Sequence, residues 1–217
     1  MICEQLQYVK STLTDGVELV AVSKYHPISA VEEAYAAGQR VFGESREQEL
    51  RLKYDALPKD IQWHFIGHLQ TNKVKYIAPY IAMIETVDSL KLMQEIDRQA
   101  AKHNRTIDIL LELHLAQEES KSGMLPADCL QLLQEGTWRT LEHVRIRGIM
   151  MMASNTDNQE QIRKEFLQAQ DFFNQIKEQY FNEQSTFDTR SYGMSGDYLI
   201  AQQCGSNHVR VGSAIFA

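Results

Sequence analysis

The residue best equipped for chemistry in this chain is Lys24, delivered at the end of an apolar run, "VELVAVSKYHP" (17–27). Two readings stand for it. A charged residue closing a strand is usually a solvated strand end. An amine at the rim of an apolar barrel mouth is instead partly desolvated and becomes a nucleophile toward an aldehyde. A second concentration of chemistry lies near the C-terminus, where "SYGMSGD" (191–197) and "VRVGSA" (209–214) pair glycine with serine. Such turns, and the helix starts beside them, offer unsatisfied N–H groups to an anion such as phosphate. Two ordinary tight turns would read the same way. Arg210 lies between them, either as an ion-pair partner or as a permanent cation facing a ligand.

Other reactive residues support less. His64 and His68 in "HFIGH" are four apart, but Gly67 breaks any helix between them, and no further ligands complete a zinc site. Lys121 lies in "EESKSG", a polar loop by composition and a ligand contact by the alternative reading. Met150 to Met152 are expected to fill gaps in the interior of the fold.

The elements that must position these groups alternate. Short apolar runs at 17–23, 40–44, 62–67, 81–87, 107–115, 144–152, 187–193 and 208–216 read as strands. Helical patterns separate them at 28–38, 45–56, 70–78, 89–103, 126–135, 158–182 and 197–204. Ser89 is a good N-cap and Pro126 suits a first turn. Ile162, Phe166, Ala169, Phe173, Ile176 and Tyr180 form one stripe at spacings of four and three. Eight βα units call for a parallel sheet, and closure into a single (β/α)8 barrel over residues 1–217 is the natural solution. An open doubly wound sheet is the rival. A further helix at about 1–14 stands outside the repeat, in a position to cover the barrel floor. In such barrels chemistry sits at the C-terminal ends of the strands, where Lys24 and the Gly-Ser turns fall.

The chain has 217 residues, enough to bury a core without disulfides or metal. Its net charge of −7 argues against a nucleic-acid partner. Three scattered cysteines without a CxxC pair read as thiols in a reducing compartment. The start "MICEQLQYVK" lacks the apolar core of a signal peptide, and no apolar run suits a bilayer. A cytoplasmic protein is expected, with no membrane partner.

A lysine, a phosphate cradle and an arginine together suggest pyridoxal 5′-phosphate. The blocks "AVSKYHP", "VFGES", "WHFIGHLQTNK", "EESKSG", "RGIMMM", "SYGMSGD" and "VRVGSAIFA" resemble, in order and over nearly the whole chain, the signature blocks of the pyridoxal phosphate homeostasis family, which is related to the N-terminal barrel of alanine racemase. The resemblance implies that Lys24 carries the cofactor as a Schiff base. It implies that Ser195 and the N–H groups of Gly212 and Ser213 hold the phosphate, with Met194 beside them. Arg210 would face the pyridine nitrogen. His64, Gly67 and Ser45 would line the mouth, and Lys121 would be a secondary contact. Ser45 stands where the family usually has asparagine, Tyr192 replaces a usual methionine, and Ala217 ends the chain where glycine and basic residues often follow.

Two function classes follow. One is a monomeric carrier that stores, buffers and delivers pyridoxal phosphate to apo-enzymes. The other is an amino-acid racemase, which needs an acid/base group on each face of the cofactor. Alanine racemases use a partner subunit's tyrosine and a separate β-domain. This chain stops after the eighth strand, so the carrier is expected.

Overall fold

The computed structural model describes residues 1–116 and 122–217. Its centre is a closed barrel of eight parallel strands in sequence order. They are β1 (Glu18–Val22), β2 (Val41–Glu44), β3 (Gln62–Phe65), β4 (Met83–Val87), β5 (Ile107–Leu113), β6 (Val144–Met151), β7 (Thr189–Ser191) and β8 (His208–Val211). Closure comes from β1 pairing with β8, Leu19 opposite Val209 and Ala21 opposite Val211. The closed barrel excludes the open sheet.

Around it run α1 (Ile2–Ser11), α2 (Ile28–Ala36), α3 (Glu47–Ala56), α4 (Val74–Ile77), α5 (Leu90–Lys102), α6 (Pro126–Glu135), α7 (Gln159–Tyr180), α8 (Tyr198–Gln203) and α9 (Ser213–Phe216). Local signals explain their starts. The Ser89 hydroxyl accepts the Leu92 N–H at 3.4 Å, and the Asn158 side chain accepts from Glu160 and Gln161. The stripe on α7 is buried from Ile162 to Ile176 against the sheet.

Three expectations change. The last apolar run is a strand only to Val211. At Gly212 the chain turns into α9, whose Ile215 and Phe216 are buried. An apolar stretch this short carries no period that separates strand from helix. The first helix does not cover the floor. It fills the outer ring beside α2 and α9, with Leu6 and Val9 buried and the Gln5 amide donating to the Ala217 carbonyl at 3.1 Å. The four-residue α9 leaves room on that flank, and α1 packs there. Of the three methionines, Met150 packs inside the barrel with Met83 and Leu110, and Met152 packs against that group. Met151 points outward into the helix layer, as strand alternation requires. Among the described residues, no helix is long and apolar enough to cross a membrane.

Candidate functional site

At the C-terminal mouth of the barrel lies a cavity of about 320 Å³, within the range of small-ligand sites. Val22, Ile66 and Met152 give it apolar walls. Lys24, Ser195, Arg210, Gly212 and Ser213 give it polar groups, with Met194 and Gly196 between. The strand ends that reach it belong to β1, β3, β6 and β8, joined by the loop after β7.

Lys24 stands two residues past the end of β1, in a turn closed by the His26 N–H on the Ser23 carbonyl at 3.1 Å. Its neighbour Tyr25 has φ +68°, a left-handed conformation uncommon for a residue with a Cβ. Lys24 is exposed, so burial does not desolvate its amine. Its access to the cavity comes from the turn.

The Ser195 hydroxyl oxygen accepts the N–H groups of Gly212, at 3.1 Å, and Ala214, at 3.5 Å. The first N–H groups of a helix have no intrahelical acceptor, and α9 turns these toward the cavity rim. The backbone of Gly212 comes so close to β1 that a Cβ there would sit 3.1 Å from the Val22 carbonyl oxygen. An acceptor oxygen on paired N–H groups beside a backbone where a Cβ would be tight fits a phosphate oxygen.

Arg210 closes the inner end. Its NH1 donates to the Ser191 carbonyl at 2.7 Å and hydroxyl at 2.5 Å, and its NH2 to the Met151 carbonyl at 2.8 Å. Glu85 on β4 lies 3.6 Å from the guanidinium, accepts the Ser191 hydroxyl at 2.6 Å and is hydrogen-bonded to His64 Nδ1 at 2.7 Å. Burial pulls the Arg210 pKa down, and Glu85 opposes that. Burial alone would raise the Glu85 carboxyl, but the hydrogen bond and charge of His64, the Arg210 cation and Ser191 together hold it down at about 2. On β5, Glu112 is also buried. Its Oε1 accepts the Ser122 hydroxyl at 2.6 Å while its Oε2 has no hydrogen-bond partner among the described residues, and desolvation pushes its pKa up. Among the described residues, no three His, Cys, Asp or Glu side chains gather to hold a metal ion.

Residues 2–217 match the family model described as alanine racemase, N-terminal domain. The pyridoxal phosphate homeostasis protein of Haemophilus influenzae is 37% identical over 203 residues, 92% of this chain and 84% of that one. That of Schizosaccharomyces pombe is also 37% identical, over 93% of this chain and 84% of its own. The chain belongs to the pyridoxal phosphate homeostasis family. Among solved structures, PipY of Synechococcus elongatus with PLP bound is 35% identical with a TM-score of 0.90, each chain covered in full. Without PLP the same protein is 36% identical with a TM-score of 0.93, again over both whole chains. Alanine racemase of Clostridium difficile shares the fold, with a TM-score of 0.77 at 14% identity over 99% of this chain and 55% of its own.

The positions carried over from the pyridoxal phosphate homeostasis family divide into two groups. Lys24, Met194, Ser195, Arg210, Gly212 and Ser213 line the cavity. His64, Gly67 and Ser45 do not. His64 points into the barrel one layer below the mouth, because side chains alternate along β3 and Ile66 takes the rim position two residues later. Gly67 packs on Ser45, where a Cβ would come within 2.3 Å of the Ser45 carbonyl oxygen. Ser45 lines a neighbouring cleft with His68 and Lys73. Lys121 lies outside the described residues. Sequence reading missed Val22, Ile66, Met152 and Gly196 as cavity walls, and Glu85 and Glu112 below them. The signal available was a glutamate inside each of two apolar runs, "IAMIETV" and "IDILLELHL".

Proposed function

We propose that this chain, as a single domain over residues 1–217, binds pyridoxal 5′-phosphate at the barrel mouth and acts as a monomeric cytoplasmic carrier that buffers the cofactor and delivers it to apo-enzymes. The observation that carries the reading is one cavity holding both an accessible lysine and an N–H cradle for phosphate. When bound, the group supplies an aldehyde that condenses with amines and a ring that accepts electrons. Lys24 provides the amine, and Ser195 with the N–H groups of Gly212 and Ser213 holds the phosphate. Arg210, whose N–H groups only donate, would face the ring nitrogen and disfavour its protonation. A ring kept unprotonated is a poorer electron sink, which suits holding over turnover.

The cavity walls favour the carrier over the racemase. Among the described residues that line it, Lys24 is the one side chain suited to proton transfer at neutral pH, since Arg210 stays a cation. Two-base racemisation needs a second such group.

Added pyridoxal phosphate is expected to give a visible absorbance that borohydride bleaches, with the reduced adduct on Lys24 by peptide mass spectrometry. Lys24→Ala loses the bleachable band and retains weaker binding through the phosphate contacts. An adduct confined to another lysine overturns the assignment. Incubation of the loaded protein with an apo pyridoxal enzyme is expected to restore that enzyme's activity. Sustained, Lys24-dependent racemisation of alanine or serine would instead place the protein among the enzymes.

A further inference from the structure

The turn that carries Lys24 is held from behind by a buried cluster outside the cavity. Lys53 on α3, with its side chain 3% exposed, donates to the Ser23 carbonyl, to Glu44 Oε1 and to Glu49 Oε1, each at 2.7 Å. Glu44 Oε1, at the end of β2, also accepts the Ser23 hydroxyl at 2.6 Å. Glu49 Oε1 also accepts the Tyr25 N–H at 2.7 Å. The Ser23 carbonyl belongs to the peptide unit before Lys24, and the Tyr25 N–H belongs to the one after it. Both peptide planes flanking the Lys24 Cα are therefore fixed through a single ammonium and two carboxylates. The Tyr25 φ of +68° is the conformation this arrangement has to hold.

We propose that Lys53, Glu44 and Glu49 are positioning residues for Lys24, clamping its turn so that an otherwise unrestrained amine meets the aldehyde over the cavity. The proposal rests on the reading of Lys24 as the attachment point. In that step the Lys24 nitrogen adds to the aldehyde carbon, the C=N bond forms and the carbonyl oxygen leaves as water. Lys24 is exposed and its Nζ lies 5.9 Å from the Tyr25 ring centroid, so burial does not orient its side chain and the backbone of the turn, which also sets Tyr25, does most to aim it. The same cluster takes Lys53 out of the reaction. All three hydrogens of the Lys53 ammonium are engaged, and the group is buried away from the cavity.

The test uses Glu49→Ala and its conservative counterpart Glu49→Gln, whose amide oxygen can still accept from Tyr25 and Lys53. Three quantities are read for each: the rate of imine formation with pyridoxal phosphate, the same rate with phosphate-free pyridoxal, and amide hydrogen exchange at Tyr25. Glu49→Ala is expected to slow both captures by about tenfold or more, and Glu49→Gln to restore them. The Tyr25 amide is expected to exchange about tenfold faster in Glu49→Ala and near the parent rate in Glu49→Gln. Capture within about twofold of the parent, despite faster Tyr25 exchange, overturns the positioning role. If the parent chain forms no adduct on Lys24, the proposed function fails. The clamp is then still judged by Tyr25, and unchanged exchange in Glu49→Ala overturns it.

Discussion

Replacing Glu85 by glutamine removes the carboxylate that pairs with Arg210 at 3.6 Å while keeping the shape of the side chain. Glu85 is fully buried, with its carboxyl held at about 2 against an ordinary value of 4.5. A carboxyl depressed this far contributes about 3 kcal/mol to folding at neutral pH. Leaving a buried cation without its partner costs about 3–5 kcal/mol, so the two routes agree. For a chain of this length, about 3 kcal/mol corresponds to a fall in Tm of roughly 6–9 °C. The folded pKa is depressed, so the contribution is complete above the unfolded value and is lost as pH falls toward the folded one. Urea unfolding of parent and Glu85→Gln should therefore differ by about 3 kcal/mol at pH 7, and the gap should close between about pH 4.5 and 2. The m-value should be unchanged, because the same surface is exposed on unfolding. A loss under about 1 kcal/mol at pH 7, or a gap that does not depend on pH, would refute the account of Glu85 as the counter-charge that holds Arg210 in place.

Three other outcomes follow from the same geometry. Ser195→Ala removes the hydroxyl that sits on the Gly212 and Ala214 N–H groups, and should weaken pyridoxal phosphate binding roughly fivefold with little change in Tm, as titration calorimetry and thermal unfolding would report. Glu112→Gln should be more stable than the parent at pH 7–8: a carboxyl whose folded pKa is raised loses stability as pH rises through that value, glutamine does not, and the advantage should vanish below roughly pH 4 in a series of denaturation curves. Gly67→Ala places a Cβ against the Ser45 backbone, which cannot swing aside as a side chain can, and should cost about 1–3 kcal/mol by chemical denaturation.

The barrel was legible because its elements differ in period. Strands such as 81–87 and 107–115 are mostly apolar, and helices such as 158–182 show a stripe, so order and type could be read along the chain. Edges were less legible. The run 208–216 is apolar in both its strand and its helix, and only the break at Gly212 separates them. Within strands, composition alone left Met151 on the wrong face, because it does not say which parity points inward. The near-contiguous pieces of the site, Lys24 and the two Gly-Ser turns, could be found because each is carried by a few adjacent residues.

The clamp behind Lys24 was illegible for a different reason. Ser23 and Lys53 are 30 residues apart and Glu44 and Lys53 are nine apart, so only the pairing of β1 with β2 and the packing of α3 at their ends bring them together. In the sequence, the charges of 45–56 look like the solvated face of an amphipathic helix. The structure buries the one lysine of that segment, Lys53, and leaves Lys24 exposed, which reverses the expectation that the reactive amine is the desolvated one. An exposed lysine on a long flexible stem is little ordered by packing, which does not favour attack at one carbon. The advantage must then come from where the backbone holds it, and the three side chains that fix the peptide planes on either side of Lys24 are the part of this fold able to supply that.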